Sequence, residues 1–263
     1  MNETATEARP KRLRMAPEER RADILDAALA LFYSRGWDQV TVADVLKEAD
    51  ISKGGFYHHF NAKEDLLDAL IARFMTEALA AAEAARDATT GTALDRFNAF
   101  LAETGRWKAR RAPQIKFLFD VMLQPGNDVL LQRITDATNA AVRPVLRGMI
   151  AQGVAEGSFD VPDVDLVTET IIGLSNGRRQ HLIDAVAAAE RGDPDGAMAR
   201  LDHRMSVEAA LIDRLLGLSP GSIALCNHAE HRRLLQAVAS PGQPSYAADT
   251  HHLRTPAAQE TTR

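Results

Sequence analysis

Between Ile51 and Lys63 the chain carries Lys53, His58, His59 and Lys63 and not one carboxylate, although its formal net charge is −5. Two adjacent glycines, Gly54 and Gly55, lie in the same stretch. Glycine costs up to about 1 kcal/mol in a helix interior, but a glycine pair at a helix start lets backbone approach another surface closely. A groove lined with phosphates is such a surface. Lys53 and Lys63 bring cations to it and Tyr57 a hydroxyl, while the backbone N–H groups of a helix starting near Ala62 point the same way. The chemistry that these residue types suit is the holding of a polyanion.

Other reactive residue types group less well. Cys226, His228 and His231 resemble metal ligands, but only the two histidines share a helix face and no fourth ligand is near, so neither a metal nor another cofactor is expected. The sequence has no G-x-S-x-G, phosphate-loop or H-E-x-x-H pattern and no set of convergent ionisable groups, so an enzyme is not expected. From Asp163 to Glu190, the residues Val167, Ile171, Leu174, Leu182 and Ala185 share one helical face. Arg178 falls in the middle of that face, Ser175 on it, and Thr170 and His181 at its edge. A charge there must find a partner; an ion pair within or between subunits ranks above an anionic ligand. Trp107, Phe117, Phe119 and Met122 have the types to line a pocket, although aromatic residues at helical spacing also serve as plain core. The candidate ligand residues are therefore Trp107, Phe119, Met122, Ser175, Arg178 and His181.

These residues need helices to position them, and the composition supplies helices almost everywhere. Alanine, leucine, arginine and glutamate dominate, and period-two strings of β-branched residues are missing. The 263 residues are 46% hydrophobic and 25% charged, a balance that excludes bulk disorder and a wholly basic nucleic-acid coat. One cysteine excludes an internal disulfide. No apolar run approaches the roughly 18 residues of a membrane span, and the basic N-terminus has no apolar stretch behind it, so a cytoplasmic protein away from membranes is expected.

Pro17, Glu18 and Glu19 open a first helix that Gly36 stops, with Ile24, Ala28, Leu31 and Phe32 as its apolar stripe. Thr41 caps a second helix over 42–49, and Ser52 caps a third over 53–59. A fourth starts at Asn61 or Ala62. Further helices are expected at 92–110, 113–123, 127–153, 163–190, 195–217 and 221–238, with Pro144 inside one of them. The organisation is a flexible arm over 1–16, a three-helix domain over 17–62, a helical bundle over 63–239 and a disordered tail over 240–263. In the arm, Arg9, Lys11, Arg12 and Arg14 form a charge run that suits minor-groove or phosphate contacts as well as it suits a solvated segment.

Three short helices over 17–59, the last two joined by a tight turn at Asp50, spell a helix-turn-helix. At T-V-A-D-V, at A-D-I-S-K-G-G-F-Y-H-H-F and at K-E-D-L-L the chain resembles the TetR family of bacterial transcriptional regulators, closely over about 20–70 and elsewhere in general layout. Asp50 stands where that family usually has glycine, Gly55 where a small or hydroxylated residue is usual, and His59 where tyrosine is common. The resemblance implies that Thr41, Lys53, Tyr57, His58 and Lys63 touch the DNA backbone or groove. It also puts Ser52, Gly54 and Gly55 at the groove-facing start of the recognition helix. Phe56 and Phe60 are expected in the core.

The expected fold is thus all-α, a helix-turn-helix domain followed by a larger ligand-binding and dimerisation bundle. The expected function is repression by a homodimer on a palindromic operator of double-stranded DNA, relieved by a small-molecule effector. A DNA-bound adaptor of the same fold, acting through protein partners without a small ligand, is the alternative. The apolar residues Leu174, Leu182, Leu201, Met205, Ile212 and Leu215 are the expected subunit seam.

Overall fold

A computed structural model describes residues 16–122 and 128–225 and positions 229, 232 and 233. Among the described residues the protein is all-α, with nine helices up to Leu215, helical positions at 229, 232 and 233, and no strand. It divides into two compact units, the first ending at Leu70 and the second beginning at Ile71.

The first unit holds α1 (Pro17–Arg35), α2 (Val42–Glu48), α3 (Lys53–His59) and the start of α4 (Lys63–Ala88). Pro17 occupies the first turn of α1, where its missing N–H costs nothing, and the Glu19 carboxylate accepts from the Ala16 N–H at 3.1 Å. Gly36, at φ +82°, ends the helix with its N–H on the Phe32 carbonyl. Asp50 turns the chain between α2 and α3 at φ +47°, the left-handed region that aspartate tolerates better than most residues. Ile24, Phe32, Val45, Phe56, Phe60, Leu66, Leu67 and Leu70 are buried, so all four helices give their apolar side to the core.

The second unit contains the rest of α4, α5 (Ala93–Arg110), α6 (Ala112–Met122), α7 (Asp128–Ala155), α8 (Val164–Glu190) and α9 (Pro194–Leu215). Pro144 lies inside α7. Phe97, Phe100, Ile150, Phe159, Ile171 and Ile212 belong to one hydrophobic cluster, and Val186, Met198, Leu201 and Met205 to another. Gly153 is required by the first cluster: a Cβ there would stand 2.0 Å from the Phe159 ring. Gly217, at φ +68°, has the Asp160 backbone 2.9 Å from where its Cβ would be.

Two expectations change. Residues 222–225 are not helical. The buried Asp213 carboxylate accepts from the N–H groups of Gly221 and Ile223 at 2.7 and 2.8 Å, and the Asn98 amide donates to the Ser222 carbonyl and accepts from the Ala224 N–H. Side chains from α9 and α5 thus satisfy the backbone groups that a helix would have satisfied internally; further along the expected 221–238 helix, the described positions 229, 232 and 233 are helical and the others lie outside the described residues. The expected subunit seam is also spent within the chain. Leu201, Met205 and Ile212 are buried there, and Leu174, Leu182 and Leu215 pack against the same clusters, because α8 and α9 bury their apolar stripes on each other and on neighbouring helices.

Candidate nucleic-acid interface

α3 separates its residues cleanly by face. Phe56 and Phe60 point inward and are buried, Phe56 meeting Phe60 at a ring distance of 5.7 Å. Lys53, Gly54, Tyr57 and His58 are exposed. Tyr57 is 47% exposed, unusual for a large aromatic side chain, and its ring stands edge-on to Phe56 with the Lys53 ammonium 6.0 Å above it. The Ser52 hydroxyl accepts from the Gly55 N–H at 3.1 Å and so starts the helix.

The two glycines differ. Nothing lies within 4 Å of where a Cβ of Gly54 would be, so its missing side chain leaves bare backbone on the outward face. A Cβ on Gly55 would meet Ile51 Cγ1 at 2.8 Å. Gly55 therefore makes room for the turn residue, a packing role that suffices to explain it.

Thr41 caps α2 and accepts from the Asp44 N–H at 3.2 Å, while its own N–H and hydroxyl donate to the Asp44 carboxylate at 2.9 and 2.5 Å. The Arg35 guanidinium reaches the same carboxylate at 3.1 Å. The Thr41 hydroxyl and N–H hold the Asp44 carboxyl below the usual range, and Arg35 adds to this. Asp44 and Arg35 were not singled out in the sequence, although Thr41-x-x-Asp44 has the spacing of a capping box.

Lys63 is less available than Lys53. Its ammonium donates to the Trp37 carbonyl at 2.5 Å and lies 4.2 Å from the centre of the Trp37 ring, and burial pushes its pKa down against the pull of Asp38 and Glu64. It ties the loop after α1 to the start of α4. The Asp65 carboxylate accepts from the backbone and side-chain N–H groups of Asn61 at 2.7 and 3.1 Å, so a carboxylate already occupies the entrance to α4.

The candidate ligand residues are not brought together. Trp107 is buried beside Phe74, with the Arg111 guanidinium over its ring at 4.6 Å, whereas Ser175 and His181 are exposed on α8. Arg178 is held in an intrachain ion pair: its Nε donates to Glu208 at 3.0 Å and its NH2 group to the other carboxylate oxygen. Glu208 is 1% exposed, and Arg204 stands 3.8 Å from it. An open groove of about 470 Å³ between α4 and α7 is lined by Arg86, Asp87, Pro144 and Met149 among others and includes none of the candidate ligand residues. The side chains of Phe119 and Met122, the arm cations Arg9, Lys11, Arg12 and Arg14, and Cys226, His228 and His231 lie outside the described residues.

A short helix held behind a tight turn, with cations, a hydroxyl and bare backbone outward, defines a helix-turn-helix regulator that binds duplex DNA. Residues 24–70 match the family model described as bacterial regulatory proteins, tetR family. The transcriptional repressor KstR2 of Mycolicibacterium smegmatis is 26% identical over 150 residues, which cover 57% of this chain and 72% of that protein. A TetR-family regulator structure from Syntrophomonas wolfei superposes with a TM-score of 0.54 at 18% identity, over 78% of this chain and all of that one. The structure of RolR in complex with resorcinol gives 0.51 at 22% identity, over 83% and 94% of the two chains. Residues 24–70 thus carry the DNA-binding domain of the TetR family, and the similarity to KstR2 supports a DNA-binding transcriptional regulator of that family.

Proposed function

We propose that this regulator is a cytoplasmic repressor, a homodimer that covers a palindromic operator and leaves it when a small molecule binds the second unit. The observation that carries the DNA-binding part is the outward face of α3, where Lys53, bare Gly54, Tyr57 and His58 stand together without a carboxylate on the helix. Thr41, Ser52, Gly55 and Lys63 complete the proposed contact set, Ser52 and Gly55 by shaping the helix start and Lys63 by fixing Trp37. KstR2 is named a repressor, which supports repression. RolR was solved holding resorcinol, which supports a small aromatic or similarly sized effector in this fold.

One recognition helix of two turns reads few base pairs, so a symmetric pair is needed to specify a site. Leu166 on α8 and Val207 and Leu211 on α9 are large, apolar and exposed, at 61%, 46% and 37%, and Gly173 leaves open space on the outer side of α8. This exposed face, rather than the buried stripe expected from the sequence, is the proposed subunit contact. No helix among the described residues is long and apolar enough to cross a membrane.

For release, the effector must bind the DNA-incompetent state better than the competent one; a tenfold loss of DNA affinity corresponds to about 1.4 kcal/mol of coupling. Footprinting on DNA upstream of the protein's own coding region tests the proposal together with light scattering. The expected result is a dimer protecting two symmetric half-sites about 34–36 Å apart, or a multiple of that. A stable monomer, or protection without symmetry, would overturn it.

A further inference from the structure

The start of α1 and the end of α3 are distant in sequence, but the first unit brings them together. The Arg21 guanidinium lies 5.1 Å from the centre of the Phe60 ring. His58 and His59 stand edge to face, 5.0 Å between ring centres, and His59 is 6.5 Å from Phe60. Arg20 and Arg21 are close enough to His59 to act on its charge, as are Glu18 of α1 and His58 of α3. Of these neighbours only Glu18 is acidic; Arg20 also approaches Asp23 at 3.9 Å. His58 and Arg21 are exposed, and Arg20 and His59 are partly so.

We propose that Arg20, Arg21, His58 and His59 form a second phosphate-binding patch on the DNA-binding unit, and that a backbone phosphate seated there is held with uptake of a proton by His59. This rests on the DNA-binding function stated above and adds Arg20, Arg21 and His59 to the contact set. Two guanidiniums beside the His59 imidazole repel a proton added to it. Burial pushes His59 below its usual range, and His58, Arg21 and Arg20 push the same way against Glu18. A phosphate reverses the balance. Its negative charge neutralises the arginines and favours the imidazolium form, which is also the better donor to a phosphate oxygen. Affinity for DNA therefore rises as pH falls through the histidine range, since the complex binds more protons than the free protein.

Phosphate contacts do not depend on sequence, so a random-sequence duplex of about three helical turns serves as probe for the full chain. Its affinity is measured by fluorescence anisotropy at about pH 6 and about pH 8 at one fixed ionic strength, the range in which histidine titrates. The wild type is expected to bind about tenfold more tightly at the lower pH, corresponding to about one proton taken up per complex across part of that range. The double variant His58→Gln/His59→Tyr keeps an aromatic ring beside Phe60 and is expected to gain less than about threefold. A wild-type affinity that ignores pH, or a double variant with the full gain, overturns the patch while leaving the DNA-binding function standing. Absence of binding at either pH overturns both.

Discussion

Replacing Gly54 and Gly55 separately by alanine should move stability in opposite directions, and only one of the two should weaken DNA binding for want of space at the interface. Gly54→Ala adds a methyl into open space within a helix. The unfolded chain loses freedom and the helix gains propensity, worth about 0.5–1 kcal/mol of added stability. If the bare backbone at Gly54 lies against a phosphate, the new methyl holds the two apart. Losing one charge-assisted hydrogen bond then costs about 1.5–3 kcal/mol, roughly tenfold to a hundredfold in affinity. Gly55→Ala gains the same propensity but drives a Cβ to 2.8 Å from Ile51 Cγ1. Overpacking of this kind costs about 1–3 kcal/mol, which exceeds the gain. Urea denaturation gives both stabilities and anisotropy titration gives both affinities. A Gly54→Ala protein that is more stable and binds DNA as well as the parent would refute the close approach. A Gly55→Ala protein as stabilised as Gly54→Ala would refute the packing role.

Arg178→Gln leaves the buried Glu208 carboxylate with, among the described residues, only the Arg204 guanidinium at 3.8 Å, so thermal denaturation should show a loss of about 3–5 kcal/mol; Arg178→Met/Glu208→Gln should recover most of it. Gly153→Ala forces the Phe159 ring aside and should cost about 3 kcal/mol, enough to be seen in a urea melt, whereas Gly148→Ala on the same helix meets nothing and should not destabilise. Acid stability should trace the two capping boxes. Asp44 is lowered by the Thr41 hydroxyl and N–H, and Asp95 by the Thr92 N–H and hydroxyl. Because both folded values are depressed, their stabilisation is full above the usual carboxylate range and fades as pH falls through the folded values. The Tm deficits of Asp44→Asn and Asp95→Asn should therefore shrink below that range; deficits that persist unchanged would remove the carboxylates' charge from the account.

The first unit was largely legible in the sequence because its signals are local. A proline and two glutamates, a glycine stop, the Thr41 and Ser52 caps and the aspartate turn each act within a few residues, and together they leave one helical arrangement. Phe56 and Phe60 could be set inside by spacing alone. The engagement of Lys63 with Trp37 was not legible, since it joins residues that only the fold makes neighbours. The same limit applies in the second unit. Arg178 was visibly in need of a partner, but its partner, Glu208, lies on the next helix, and a buried glutamate has no local signature. The apolar stripes of α8 and α9 were read correctly as buried and assigned to the wrong neighbour. Periodicity identifies a face and not what covers it. Residues 222–225 were expected in a helix but follow Asp213 and Asn98 instead.

If the outward face of α3 holds DNA through its phosphates, the salt dependence of binding reports it directly. Affinity for a duplex containing the footprinted site should fall linearly on logarithmic axes as salt rises, and Lys53→Ala should flatten that slope by about one. Lys53 is exposed and, among the described residues, makes no hydrogen bond across the fold, so the change should come without loss of stability. An affinity that ignores salt, or a Lys53→Ala slope identical to the parent's, would contradict this hold on the phosphates.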